Sequence, residues 1–128
     1  RLTKELKAEM YSFGPFIPAS GTPLANHPPI TKDLALKTIA VARLADPNAN
    51  IVVTTALETL SVDAKREALL AGGNSLMLNV TPMKYRRFYS IYDGRAGVDK
   101  EVEPSIKETI DLLYNLGRAP TDIGIRDK

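Results

Sequence analysis

The apolar positions of this chain come in short runs, separated by stretches in which they recur at helical spacing. Leu2, Leu6 and Met10 stand four residues apart among charges and predict the last turns of a helix. Residues 11–17 read as a buried strand stopped by Pro18. Pro15, Pro18, Pro23, Pro28 and Pro29 are five of the nine prolines, and they predict a long irregular loop over 18–30. Loops of that length are often functional. Thr31 is a helix N-cap, followed by Leu34, Thr38, Val41 and Ala45 on one face, and Asp46-Pro47-Asn48 ends that helix. NIVVTT (50–55) is a β-branched run that predicts a buried strand. Ser61 is the next cap, with a helix over 62–71 that stops at Gly72-Gly73. SLMLN (75–79) is a third strand candidate, and Thr81-Pro82 has the signature of a helix start. Tyr85, Phe88, Tyr89 and Tyr92 then share a face. After a turn at Asp93-Gly94 a short strand is expected near 95–98. Pro104 opens a last helix with Ile106, Ile110 and Leu113 on its stripe and Gly117 as its stop.

Strands and helices therefore alternate, and nearly all-apolar strands between amphipathic helices predict an α/β fold with a parallel sheet covered by helices. No G-x-G-x-x-G follows a strand, so a dinucleotide-binding version has no support. A doubly wound sheet and a barrel sector both fit; a beheaded helix before three or four strands favours a partial (β/α)8 barrel. Residues 1–117 form that unit, with a charged tail over 118–128.

Composition narrows the chemistry. The chain has 128 residues, 44% hydrophobic and 25% charged, as in an ordinary globular domain. Its 17 Lys and Arg against 15 Asp and Glu give a charge of only +2, evenly spread, which argues against nucleic-acid and membrane-surface partners. No apolar run reaches membrane-span length and no secretory signal is present, so a cytoplasmic protein is expected. There is no cysteine and a single histidine, His27. A thiolate nucleophile, a disulfide scaffold and a thiolate-held metal centre built from this chain alone are excluded.

In parallel α/β folds ligands meet the carboxyl ends of the strands. That rule selects residues 15–18 with their loop, Thr54-Thr55, Met77–Asn79 with Thr81, and the turn at 92–94. Thr54 and Thr55 put two hydroxyls at a strand end, where one facing inward can donate to an anionic group; Thr also simply suits strands. Asn79 either caps the next turn or meets a ligand. The tyrosines form a helix packing face, with one expected to look into a cavity. Glu58 stands where a general base could sit, or is a solvated loop carboxylate. His27 is expected to be exposed. Arg86, Arg87 and the C-terminal cations are expected to be solvated.

Four stretches carry a resemblance. SFGPFIPASGTPLA (12–25), LKTIAVARLADPNANIVVTTALETL (36–60), LLAGGNSLMLNVTPMKYRRFYSIYDG (69–94) and SIKETIDLLYNLGRAP (105–120) are similar to the C-terminal half of radical S-adenosylmethionine enzymes. The nearest group is the HydE type of [FeFe]-hydrogenase maturase, with biotin synthase, methylornithine synthase and the tyrosine-cleaving thiazole synthase as relatives. GPFIP, TPLA, TTAL, AG-N and TP--Y occur in order and at that family's spacing.

The resemblance implies strands five to eight of a (β/α)8 barrel. The missing first half would carry CxxxCxxC, hold a [4Fe–4S] cluster and bind S-adenosylmethionine. This chain alone would then be inert, and Arg1 would mark a cut. Pro15, Phe16 and Ile17 match the segment bordering the adenosyl part. Thr54, Thr55, Met77, Asn79 and Tyr89 match cavity positions for a small-molecule substrate. Three departures stand out. Leu78 replaces a frequent Pro. Glu103-Pro104-Ser105 falls where some relatives place cysteines for a second cluster. Leu57 stands where biotin synthase has a strand Arg, which argues against biotin synthase activity. The partner expected for this half is the N-terminal half barrel of the same protein, and alone the fragment is expected to self-associate. The alternative of another class is a non-catalytic module that binds a small anion or a protein.

Overall fold

A computed structural model describes residues 5, 6 and 8–120. Three parallel strands form one sheet in the order β1-β2-β3: β1 Met10–Ser12, β2 Asn50–Val53 and β3 Ser75–Leu76. Tyr11 is in register with Ile51, and Val53 with Leu76. Between β1 and β2 runs α1, Lys32–Ala45; between β2 and β3 run α2, Thr55–Leu60, and α3, Ala64–Leu70. After β3 come α4, Met83–Arg86, a 3₁₀ turn over Arg87–Tyr89, and α5, Val102–Asn115. The architecture is α/β with a small parallel sheet, as the strand–helix alternation predicts.

Side chains alternate across a strand, and here the two faces differ. Tyr11, Ile51 and Val53 point to the helices and join Ala35 and Ile39 of α1, Leu57 of α2 and Ala64, Ala68 and Leu69 of α3 in the core. Leu112 and Leu113 of α5, with Leu116 beyond its end, pack on that cluster. On the other face Met10, Ser12 and Asn50 are exposed, and only Val52 is buried.

Local chemistry explains the elements. Thr31 caps α1, its hydroxyl accepting from Leu34 N at 3.3 Å. Lys32 reaches from the first turn of α1 to Glu67 of α3, Nζ to Oε2 2.7 Å. That hydrogen-bonded carboxylate raises the Lys32 pKa, against partial desolvation. Gly72, at φ 122°, turns the chain between α3 and β3, and Arg43 Nε donates to its carbonyl at 2.9 Å. Asn74 then stands in for a strand partner, its Oδ1 accepting from Ile51 N at 2.7 Å. Pro104 fits the first turn of α5, where its missing N–H has no helical acceptor.

Several expectations are corrected. Met10 begins a strand rather than ending a helix; Leu2 lies outside the described residues. The strand predicted over 11–17 is Met10–Ser12 only, because β2 offers partners no further along than Val52. The strand predicted over 50–55 ends at Val53, since Thr54 turns to cap α2, a helix the periodicity did not show. The helix predicted over 62–71 forms as Ala64–Leu70 with Asp63 at its start, while Ser61 closes α2 and Val62 is fully solvated. Residues 77–79 find no strand to pair with, since β2 has already given way to α2. No strand forms over 95–98, where Gly94 and Gly97 both take positive φ. Arg118 is not a solvated tail charge: its guanidinium donates to Gly73 O and Leu69 O, both at 3.0 Å. The rest of the tail, 121–128, lies outside the described residues.

Candidate functional site

Because the strands are parallel, their carboxyl ends lie along one edge of the sheet. Gly14, Thr54 and residues 77–79 follow β1, β2 and β3 at that edge. Thr54 keeps extended backbone, φ −87° and ψ 153°, and so continues the alternation of Val52, on the face away from the helices. A Cβ on Gly14 would sit 3.7 Å from Thr54 Oγ1. A small residue after β1 thus leaves the Thr54 hydroxyl room on that side. The same hydroxyl accepts from Leu57 N at 3.4 Å, a long cap bond that leaves its O–H to donate elsewhere. Thr55 is already helical, and its carbonyl accepts from Thr59 Oγ1 at 3.0 Å. The paired threonines are therefore not two strand-end hydroxyls; only Thr54 continues the strand.

The segment after β1 splits between two environments. Pro15 is buried and lines a groove of about 410 Å³ with Phe13, Ile30 and Leu34, between the end of β1 and α1. Phe16 is partly exposed and meets the His27 ring edge-on at 6.2 Å between centroids. Its carbonyl accepts from Ile30 N at 3.0 Å, which closes the base of the proline-rich loop. Ile17 is half-buried. His27 is exposed, as the sequence predicts.

After β3, Asn79 caps the following turn, Oδ1 accepting from Thr81 N at 3.1 Å. Met77 is 60% exposed. The tyrosine face is corrected: α4 spans four residues, too few to present a stripe, and Tyr85, Phe88 and Tyr89 are exposed. Lys84 and Arg87 lie over the Tyr85 and Phe88 rings, each 4.8 Å from the centroid. Among the described residues no hydrogen bond or ring contact joins Tyr89 to Thr54, Thr55 or Asn79. Glu58 lies in α2 rather than in a loop and pairs with Lys65 at 3.1 Å.

Two features escaped the sequence. Arg86, expected in solvent, is 3% exposed. Its Nε donates to Thr81 O at 2.7 Å, Nη2 to Asn79 O at 3.0 Å, and Nη1 to Gly97 O at 3.1 Å and to Lys100 O. Ser20, in the loop after β1, donates to Asp93 Oδ1 at 3.1 Å. The loop that follows β1 and the segment that follows β3 are thus joined to each other.

Among the described residues no group of three or more His, Asp or Glu could hold a metal ion, and no helix is long and apolar enough to cross a membrane. Residues 12–118 match the family model for the Biotin and Thiamin Synthesis associated domain. The chain belongs to that domain family. It is 37% identical over 117 residues to the [FeFe] hydrogenase maturase subunit HydE of Thermotoga maritima, covering 91% of this chain and 34% of that protein. An uncharacterised protein of Methanocaldococcus jannaschii is 30% identical over 105 residues, 82% of this chain and 26% of its own length. A Synechococcus biotin synthase is 40% identical over 60 residues, 47% of this chain and 19% of that protein. The chain spans no more than about a third of these relatives. The resemblance read from GPFIP, TPLA, TTAL and AG-N is therefore to true relatives.

Proposed function

We propose that this domain is the cavity-forming C-terminal part of a HydE-like radical S-adenosylmethionine enzyme that acts on a small substrate in the cytoplasm, in assembly of the hydrogenase diiron subcluster. The observation that carries the reading is the match to HydE across 91% of the chain, against 47% and 58% for two biotin synthases. Leu57, matched by the resemblance to a strand Arg of biotin synthase, lies in the helix α2 and is completely buried, so the strand comparison does not separate the two families.

In this reading the three strands belong to the second half of a (β/α)8 barrel, completed by the N-terminal half of the same protein. The exposed face of Met10 and Ser12 becomes interior, as does the exposed stretch with Met77. Thr54 donates its hydroxyl proton to an anionic or carboxylate group of the substrate. Asn79 and Met77 form the neighbouring wall, with Tyr89 and Thr55 closer to its margin. Pro15, Phe16 and Ile17 supply apolar surface beside the adenosyl group of S-adenosylmethionine. Their work is placement and exclusion of water from a reactive centre. The chain has no cysteine, so its own residues do not fit an iron–sulfur cluster; those ligands belong to the remainder of the polypeptide.

The test is anaerobic reconstitution of the full-length protein with iron and sulfide, followed by measurement of 5′-deoxyadenosine released from S-adenosylmethionine under reduction. Release that disappears when the upstream cluster cysteines are replaced is the expected result. A full-length protein without such cysteines, or one that binds substrate anions but never cleaves S-adenosylmethionine, would turn the reading toward a non-catalytic module.

A further inference from the structure

We propose that Arg86 is the positioning residue of this domain's ligand-facing edge. The proposal rests on the reading of that edge given above and adds a residue that it does not use. The guanidinium is buried, and each of its four assigned acceptors is a backbone carbonyl. Two of them, Asn79 O and Thr81 O, belong to the turn directly after β3. The other two, Gly97 O and Lys100 O, lie at the far end of the same excursion, before α5. One side chain therefore pins both ends of the segment between them. A planar fork of donors can serve four such acceptors at once, which a lysine ammonium cannot.

What lies between the pins gives the arrangement its consequence. The segment carries Tyr89 and Asp93, and Asp93 accepts from Ser20 in the loop that follows Pro15–Phe16–Ile17. Thr59 Oγ1 accepts from Ala96 N at 2.9 Å and ties the segment to α2 as well. Arg86 thus fixes Asn79 directly. Through the pinned segment and the Ser20–Asp93 bond it also fixes the loop assigned to the adenosyl group. It touches no substrate itself and acts on binding geometry through these groups.

The experiment uses the full-length protein with Arg86→Ala, Arg86→Lys and Ser20→Ala. In the S-adenosylmethionine cleavage assay, Arg86→Ala is expected to raise KM for S-adenosylmethionine about tenfold with kcat within about twofold, the pattern of lost ground-state placement. Ser20→Ala, which leaves Arg86 in place, is expected to raise KM by about threefold. Added methylguanidinium should return the Arg86→Ala KM toward the wild-type value, and Arg86→Lys should recover less than half of it. Hydrogen exchange of amides 87–97 should accelerate in Arg86→Ala while amides 51–53 keep their protection. An unchanged KM, a loss confined to kcat, or equal deprotection of 51–53 would overturn the assignment. If the wild-type protein cleaves no S-adenosylmethionine, the functional reading falls. The exchange pattern and its rescue by methylguanidinium then decide the role of Arg86 alone: selective, rescuable deprotection supports it and uniform deprotection overturns it.

Discussion

Gly73→Ala probes a close approach between α3 and the central strand. Gly73 is buried between α3 and β3, and its N–H donates to Ala68 O at 2.9 Å. A Cβ at this position would lie 2.7 Å from Val53 Cγ2 and 2.9 Å from Ala68 O. Neither neighbour can yield. Val53 is fully buried in the central strand, and Ala68 O is helix backbone already holding the Gly73 N–H. Overpacking of a closed core costs about 1–3 kcal/mol, and contact with backbone on one side puts this site near about 3. Alanine also restricts the unfolded chain, which offsets about 0.5 kcal/mol. The net destabilisation is about 2.5 kcal/mol, a midpoint shift of about 1–2 M in urea for a chain of this size. Gly21→Ala is the control. Gly21 has φ 75° and no heavy atom within 4 Å of a Cβ, so only the backbone term, about 1 kcal/mol, applies. Urea titrations of both variants by circular dichroism, at one low protein concentration, give the comparison. A Gly73→Ala midpoint that falls no further than that of Gly21→Ala would refute the packing account of the Gly-Gly turn.

Four further outcomes are expected. Asn74→Ala strands the Ile51 N–H in the core and lowers stability by about 1–3 kcal/mol in the same titration, whereas Asn74→Asp, which keeps the acceptor, loses less. Thr54→Ala removes the cap of α2 at a cost of about 1 kcal/mol, and Thr54→Ser restores nearly all of it. The Lys32 pKa is raised by Glu67, so the ion pair's contribution is complete below the ordinary lysine value of about 10.4 and is lost as pH rises through the higher folded value; Lys32→Met should flatten that alkaline limb of a stability–pH curve. The isolated chain, with β1 and β3 as open sheet edges and Met77, Val80 and Ile91 all at least 60% exposed, should self-associate in light scattering; a monomer at high concentration would contradict this.

The parts of the fold that could be read from sequence are those fixed by local chemistry. Thr31 as cap and Asp46-Pro47 as stop bound α1 because each acts within one turn. The β-branched run at 50–53 is a strand in any context, and Gly117 at φ 67° ends α5 region as a left-handed stop should. What could not be read depends on partners. Strand length at 11–17 and 75–79 is set by how far β2 extends, and β2 extends only to Val53 because Thr54 is claimed by a cap. TTAL looks like a strand end by propensity, yet the first threonine's hydroxyl completes a helix instead. The helix that follows places Leu57 fully in the core, which an extended continuation of β2 would have to give up.

The candidate edge shows the same division from the side of charge. Residues 15–18, Thr54 and Asn79 are located by one rule, that parallel strands present their ends together. Nothing in RRF distinguishes Arg86 from Arg87. One is 3% exposed and the other lies over an exposed ring. The difference arises because an excursion of some twenty residues between Asn79 and Lys100 contains too little regular structure to satisfy its own carbonyls. The carbonyls of Asn79, Thr81, Gly97 and Lys100 converge on the one buried residue of that stretch, and there they need a donor. Arg86 supplies four N–H groups at the one place where both ends of the excursion meet, whereas Arg87, one position further along, is turned toward solvent. Burial of a charge among carbonyl dipoles is a consequence of irregular backbone. It becomes visible only when the path of that backbone is known, and it is why a residue dismissed as surface charge can hold the wall of a site together.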